Sequence, residues 1–60
     1  MDKFELKEKL IKIADINANG AAELMKDRCD DEETGVIRSR VISALAKVQD
    51  VVSKEIYNIH

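Results

Sequence analysis

Proline and tryptophan are absent from this 60-residue chain, and cysteine, histidine and aromatic residues are scarce. The absence of proline leaves long helices uninterrupted, because proline removes a backbone donor and breaks a helix interior. The single cysteine, Cys29, excludes an intrachain disulfide, and Cys29 with the single histidine, His60, cannot supply the four ligands of a structural zinc site. A domain of this size without disulfide or metal needs another source of stability, and self-association is the one that remains.

The chain also lacks the residue sets on which catalysis depends. There is no nucleophile with a plausible base and no glycine-rich phosphate loop. We therefore expect a non-enzymatic protein without metal or cofactor. No apolar run reaches the length that spans a bilayer, and the charged start does not resemble a signal peptide. These features predict a soluble, cytoplasmic protein with no membrane partner.

Negative charge is in small excess over positive charge. Charged residues make up 37% of the chain, yet their formal sum is only −2, so no global field would draw the protein onto nucleic acid. Two aromatic residues are also too few for a platform on which bases stack. Nucleic acid is therefore not an expected partner, and the mixture of 45% hydrophobic with many charged residues is typical of helical chains.

Two long helical patterns flank one acidic break. The patterns predict a helix over about 3–29, a turn over about 30–34 and a second helix over about 35–59, forming a single helix-hairpin domain over 1–60. Thr34 is the expected N-cap of the second helix, with the acidic residues before it near the positive end of the helix dipole. The predicted fold class is all-α, an antiparallel two-helix hairpin that assembles into a four-helix bundle dimer or a multiple of dimers.

Each predicted helix carries an apolar face about twice as wide as one neighbouring helix can cover. The rows step by three and four residues, the spacing that keeps side chains on one stripe. One row of each helix is expected to close the hairpin, and the other to meet a second copy. The residues predicted for the oligomer interface are Leu10, Ala14, Asn17, Ala18, Ala21, Val41, Leu45, Val48 and Val52.

A run of small residues, 17–22, interrupts the first helix around Gly20. A mid-helix glycine costs about 1 kcal/mol relative to alanine, so it calls for an explanation. The favoured interpretation is close approach of a neighbouring helix, and the alternative is a kink or a shallow concavity for a ligand or a partner backbone. Asn17 falls on the apolar stripe, where asparagine commonly fixes register and oligomer state.

Three arginines are expected near the turn, and they form the best candidate anion site of the chain. Arg28 ends the first helical pattern, and Arg38 and Arg40 begin the second. The planar fork of arginine suits phosphate. The acidic residues of the turn lie close enough to neutralise this cluster, and that interpretation is the stronger of the two.

The first predicted helix contains the stretch 16–24, and the second contains an arginine at 38 or 40, then Ala44 and the segment 47–49. Together, these segments resemble the helical hairpin of phage anti-defence proteins. Those proteins sequester cyclic nucleotide signals of bacterial immunity, and the similarity covers roughly positions 10–56. The resemblance implies an oligomer that binds a symmetric ligand without chemistry, each subunit contributing the same side chains at a two-fold interface. The ligand-binding candidates that follow are Asn17, Arg38, Arg40 and Lys47, with arginines on phosphates and asparagine on a base edge or ribose.

The layout of two helices and an acidic turn is also similar to the plasmid copy-number proteins of the Rop type. That resemblance implies an antiparallel dimeric bundle that binds paired RNA loops through one helix face. A third class is a small inhibitor that docks on a larger host protein, because an exposed apolar stripe marks a partner site. Nucleotide sequestration is the leading hypothesis, followed by protein inhibition and then RNA binding.

Overall fold

The computed structural model describes residues 1–60, which form two α-helices and no strand. Helix α1 spans Lys3–Lys26 and helix α2 spans Glu32–Asn58. The helices pack side by side in opposite directions, giving a rod of 46 × 15 × 15 Å. The predicted all-α two-helix hairpin is therefore confirmed.

An aspartate starts each helix. The side chain of Asp2 accepts a hydrogen bond of 2.8 Å from the backbone N–H of Glu5, and Asp31 accepts one of 2.8 Å from the backbone N–H of Thr34. Each bond satisfies an N–H group that has no partner within the first helical turn. The prediction of Thr34 as the cap is wrong, because Asp31 is the cap and Thr34 already lies within the first turn.

The helix boundaries at the turn differ from the predicted ones by three residues on each side. Helix α1 ends at Lys26 rather than near 29, because the chain becomes extended at Asp27. Carboxylates are unfavourable at the negative C-terminal end of a helix and favourable at the positive N-terminal end. Asp27 therefore ends α1, while Glu32 and Glu33 occupy the first turn of α2.

The two helices meet along one row of residues on each, which we call the seam. Its members are half-buried and step by three and four residues, as in a heptad pattern. The seam consists of Lys7, Leu10, Ala14, Asn17 and Ala21 on one side, and Gly35, Arg38, Ile42, Leu45, Gln49, Val52, Ile56 and Ile59 on the other.

Polar residues of the seam bond across it rather than pointing away. At the open end, the ammonium of Lys7 donates to the carbonyl oxygen of Ile59 at 3.5 Å. Ile59 caps the C-terminus of α2, and the last turn of that helix has no basic residue of its own. A cation there interacts favourably with the negative end of the helix dipole, so Lys7 ties the two chain ends together.

No residue of the hairpin is buried. Two packed helices cover one strip of each other and leave most of both surfaces in contact with solvent. Neither helix combines the length and the apolar character needed to cross a membrane. The hairpin therefore has a seam but no enclosed core.

The cap at Asp31 predicts a pH dependence of stability. Hydrogen bonds from the hydroxyl and then the backbone N–H of Thr34 hold the pKa of Asp31 below its ordinary value of 3.8. A group whose pKa is lowered by folding stabilises the native state above its ordinary pKa and loses that contribution as pH falls through the lowered value. We expect Asp31→Ala to lower the Tm at neutral pH, and the difference from the unmodified protein to shrink as pH drops below 3.8.

Thermal unfolding followed by circular dichroism from pH 7 to pH 2 measures this effect. The matched control is Asp30→Ala, which removes a neighbouring carboxylate that caps no helix. Equal losses of Tm in the two variants would contradict a specific role for Asp31.

Candidate binding surfaces

Eight of the ten exposed leucine, isoleucine and valine side chains lie on one broad side of the hairpin, whereas Ile11, Val36 and Tyr57 lie on the other. Leu6 and Ile13 immediately precede seam residues of α1, and Val41 and Val48 immediately precede seam residues of α2. In an antiparallel pair, an equal offset from the seam brings residues of both helices to the same side. Seven residues meet this definition, and Leu24 joins them at the turn, where it continues the seam row of α1. The apolar face therefore consists of Leu6, Ile13, Ile16, Leu24, Ile37, Val41, Val48 and Val51, which are between 37% and 71% exposed.

Two depressions that cross the seam confirm this placement. At the turn, Leu24 lines one depression together with Ile37 and Val41 of the other helix. In the middle of the hairpin, Ile13 and Ile16 line a second depression with seam residues of both helices. The apolar face is therefore continuous across the two helices and extends over most of the length of the rod.

The opposite side of the hairpin is more polar. The residues that immediately follow seam positions within α2 are Val36, Ser39, Ser43, Ala46, Asp50, Ser53 and Tyr57. By the same offset, helix α1 contributes Glu8, Ile11, Asp15, Ala18 and Ala22 to this side. The two sides thus differ chiefly through α2, which carries four aliphatic residues on the apolar face, and three serines and an aspartate beside Val36, Ala46 and Tyr57 on the other.

Gly20 opens a hollow in the apolar face. Apart from its own backbone and chain neighbours, no atom lies within 4 Å of the position that a Cβ would occupy at Gly20, so the hairpin itself does not require a glycine there. The hollow is lined by Ile13, Ile16, Asn17, Gly20 and Leu45. Close approach of α2 therefore does not explain Gly20, and the shallow concavity that the sequence left as the alternative is present.

Asn17 forms the central polar contact of the seam. Its side-chain amide donates to the carbonyl oxygen of Leu45 at 2.9 Å and to the side-chain oxygen of Gln49 at 2.8 Å. Both amide hydrogens are therefore committed within the hairpin. This geometry is the register-fixing arrangement expected of an asparagine on an apolar stripe, and it leaves no donor of the Asn17 amide for a ligand.

Arg38 is likewise occupied by intrachain contacts. Its guanidinium donates to the carbonyl oxygens of Leu24 at 3.3 Å and Asp27 at 2.5 Å, which lie at the C-terminus of α1. Carbonyls in the last turn of a helix have no partner within the helix, and no glycine of positive φ closes this one. Arg38 supplies that cap from the neighbouring helix, and both hydrogen bonds come from its Nη1 atom.

The three predicted arginines do not converge on one point. Arg28 and Arg38 line the depression at the turn together with carboxylates of the turn, but neither arginine forms an ion pair with them. Arg40 lies on another surface, the outer side of α2. There it lines a shallow depression with Lys47 and the hydroxyl-bearing residues Ser39 and Ser43.

Arg40 and Lys47 are the predicted ligand residues that remain free of intrachain partners. Neither forms a hydrogen bond or an ion pair, and the ion pair of the hairpin joins Lys54 to Asp50 at 3.0 Å. Arg40 and Lys47 lie two helical turns apart on the same row, roughly 10 Å along the helix axis. The row is exposed and has two hydroxyl groups beside it, and Arg40 also lines a neighbouring depression with Glu32 and Glu33.

Residues predicted for the oligomer interface divide between the seam and the apolar face. Leu10, Ala14, Asn17, Ala21, Leu45 and Val52 belong to the seam, and Val41 and Val48 belong to the apolar face. Ala18 lies on the more polar side. The sequence analysis missed Ile42 and Ile56 in the seam, although their spacing from Leu45 and Val52 was a signal for them.

Comparison with protein-family models, curated proteins and solved structures finds no match to this chain. The class of protein therefore rests on the geometry of the hairpin. The structure brings no group of three histidine, cysteine, aspartate or glutamate side chains into the arrangement of a metal site.

The Asn17 contacts predict a stability difference between two asparagines of α1. We expect Asn17→Ala to destabilise the protein by about 1 to 3 kcal/mol, because two hydrogen bonds are lost and Gln49 loses its partner in the seam. Asn19→Ala is the matched control, since Asn19 is exposed on the same helix and forms no hydrogen bond. Urea unfolding at one fixed protein concentration measures both values, and equal midpoints would contradict the role of Asn17.

Proposed function

We propose that this chain is a non-enzymatic binding protein that acts as a homo-oligomer. The observation that carries the proposal is the apolar face on a hairpin without a single buried residue. Eight aliphatic side chains on one side of so small a molecule form a patch of the kind that marks a protein interface. Pairing of this face with the same face of a second hairpin gives a four-helix bundle, in which the covered side chains become the core that the single hairpin lacks.

The ligand we propose is a cyclic nucleotide immune signal of the kind sequestered by the phage proteins that the chain resembles. The support from geometry is the pair of unpartnered cations, Arg40 and Lys47, with Ser39 and Ser43 beside them. Arginine binds phosphate through two parallel hydrogen bonds, and lysine adds a point charge. An oligomer presents this row once per subunit, which suits a ligand that carries two or more equivalent phosphates.

The second candidate function is inhibition of a larger protein. The apolar face favours it as well, because a helical hairpin that does not pair with itself offers the same aliphatic surface to another partner. The two candidates differ in the mass of the isolated protein. A monomer that retains its exposed face indicates an inhibitor, and a stable oligomer indicates self-pairing.

Absolute mass in solution is therefore the first measurement. We expect light scattering across a dilution series to give twice the chain mass of 6.8 kDa, or a multiple of that dimer, at the higher concentrations. Because the single hairpin has no buried residue, helical circular dichroism should fall together with mass when the oligomer dissociates. A monomer with full helicity at every concentration would contradict the homo-oligomer and favour the inhibitor.

Isothermal titration with cyclic di- and trinucleotides and with cyclic ADP-ribose isomers tests the ligand. We expect saturable binding that is weakened at least tenfold in the double variant Arg40→Ala, Lys47→Ala, since loss of charge-assisted phosphate contacts of this kind costs about 1.5 to 3 kcal/mol each. The matched control is Lys54→Ala, which removes a cation of the same row that Asp50 already neutralises. Absence of heat with every one of these ligands would refute sequestration of cyclic nucleotides.

A further inference from the structure

The size of the apolar face matches what a stable pair of proteins needs. The hairpin is 46 Å long and 15 Å wide, so one side offers roughly 700 Å². Standard protein interfaces bury about 800 Å² on each partner. One further hairpin of the same length would cover the face fully.

The α1 part of the face is bordered by two opposite charges at equal distances from its centre. Lys9 lies seven residues before Ile16, and Glu23 lies seven residues after it, so the three residues share one row of the helix. Reversal of the helix about Ile16 exchanges the positions of the lysine and the glutamate. Two copies of α1 packed in opposite directions would therefore match Lys9 with Glu23 twice.

The same reversal brings the projecting side chain of Ile13 in one copy opposite the hollow at Gly20 in the other. Ile13 and Gly20 lie on the neighbouring row, three residues before Ile16 and four residues after it. Ile13 is 47% exposed, and the space above Gly20 is empty. A side chain that projects from one copy thus comes opposite a hollow in the other, and the symmetry repeats this contact.

We propose that a second copy of this chain covers the apolar face head to tail. Helix α1 packs against the partner's α1 about a two-fold axis near Ile16, with Ile13 in the hollow at the partner's Gly20 and Lys9 beside the partner's Glu23. This inference rests on the homo-oligomer proposed above and specifies its geometry. It also meets the condition of a two-fold interface, in which each contact between two different residues occurs twice.

The competing two-fold arrangement brings both turns to the same end of the bundle. The segment 27–33 contains five carboxylates and one arginine, so that arrangement sets two acidic turns side by side. Like charges in proximity disfavour association, most strongly at low ionic strength. In that arrangement α1 packs against the partner's α2, and Lys9 comes near the partner's Glu55 instead of the partner's Glu23.

A pair of isoleucines tests which side is covered. Ile13 and Ile11 are 47% and 46% exposed, are two residues apart, and lie on opposite sides of the hairpin. Ile13→Glu should convert the oligomer to monomer in light scattering, because a charge would be placed in the dry interface. Ile11→Glu should leave the mass unchanged. The reverse result, or equal effects of the two substitutions, would overturn the assignment of the face.

Exchange of the bordering charges tests the direction of packing. Lys9→Glu and Glu23→Lys should each raise the dimer dissociation constant roughly 3- to 10-fold, as expected for exposed pairs that occur twice. The double variant restores both pairs with inverted signs, so its dissociation constant should return close to that of the unmodified protein. Additive weakening in the double variant would overturn the head-to-tail arrangement, since the contact of Lys9 with the partner's Glu55 would not be rescued.

The single cysteine supplies an independent distance. Spin labels on Cys29, in the turn, should be separated by about the 46 Å length of the hairpin in the head-to-tail dimer. A separation well under half of that length would place the turns together and overturn this geometry while retaining the homo-oligomer. Absence of dipolar coupling in a sample that scatters as a monomer would overturn both proposals. Cys29 is half-buried, so a label there could disturb the turn. The measurement is therefore repeated with the label at the exposed position 30, in the double variant Cys29→Ser, Asp30→Cys.

Discussion

A helix packed against a single neighbour can cover only one strip of its surface, and this constraint governs the whole molecule. Every residue of the hairpin keeps some exposure, including those of the seam. The seam alone therefore provides limited hydrophobic stabilisation, and local interactions have a larger share than in a protein with a closed core. The aspartate caps, the arginine cap on α1 and the lysine at the open end all lie at helix termini, where an isolated hairpin would otherwise fray.

The helices and their antiparallel pairing followed from periodicity, but the row that forms the seam did not. Both helices have apolar arcs wide enough to contain several rows, and spacing alone does not select among them. The actual seam includes Lys7, Asn17, Arg38 and Gln49. A prediction based on rows of hydrophobic residues does not select such polar residues. They occur in the seam because Lys7, Asn17 and Arg38 donate hydrogen bonds to the other helix.

The candidate site was predicted in part for a related reason. Residue type identified arginine and asparagine as groups able to bind phosphate or a base, but the same groups serve equally well for backbone carbonyls. Arg38 and Asn17 have such partners, and their partners lie more than ten residues away in the chain. Arg40 and Lys47 remain available because the heptad pattern puts them on the outer side of α2, away from α1. The position of a residue relative to the seam thus decides which cations are free, and that position could be read only once the seam was known.

The contact between Asn17 and Gln49 also limits how the two helices can move along each other. A slide by one heptad would keep every seam position opposite another seam position, so hydrophobic packing alone would resist it weakly. Such a slide replaces Gln49 opposite Asn17 with Ile42 or Ile56, and each amide would then face a hydrocarbon surface without its partner. The hydrogen bond between Asn17 and Gln49 therefore favours one register of α1 against α2. The length of the hairpin is fixed by that register.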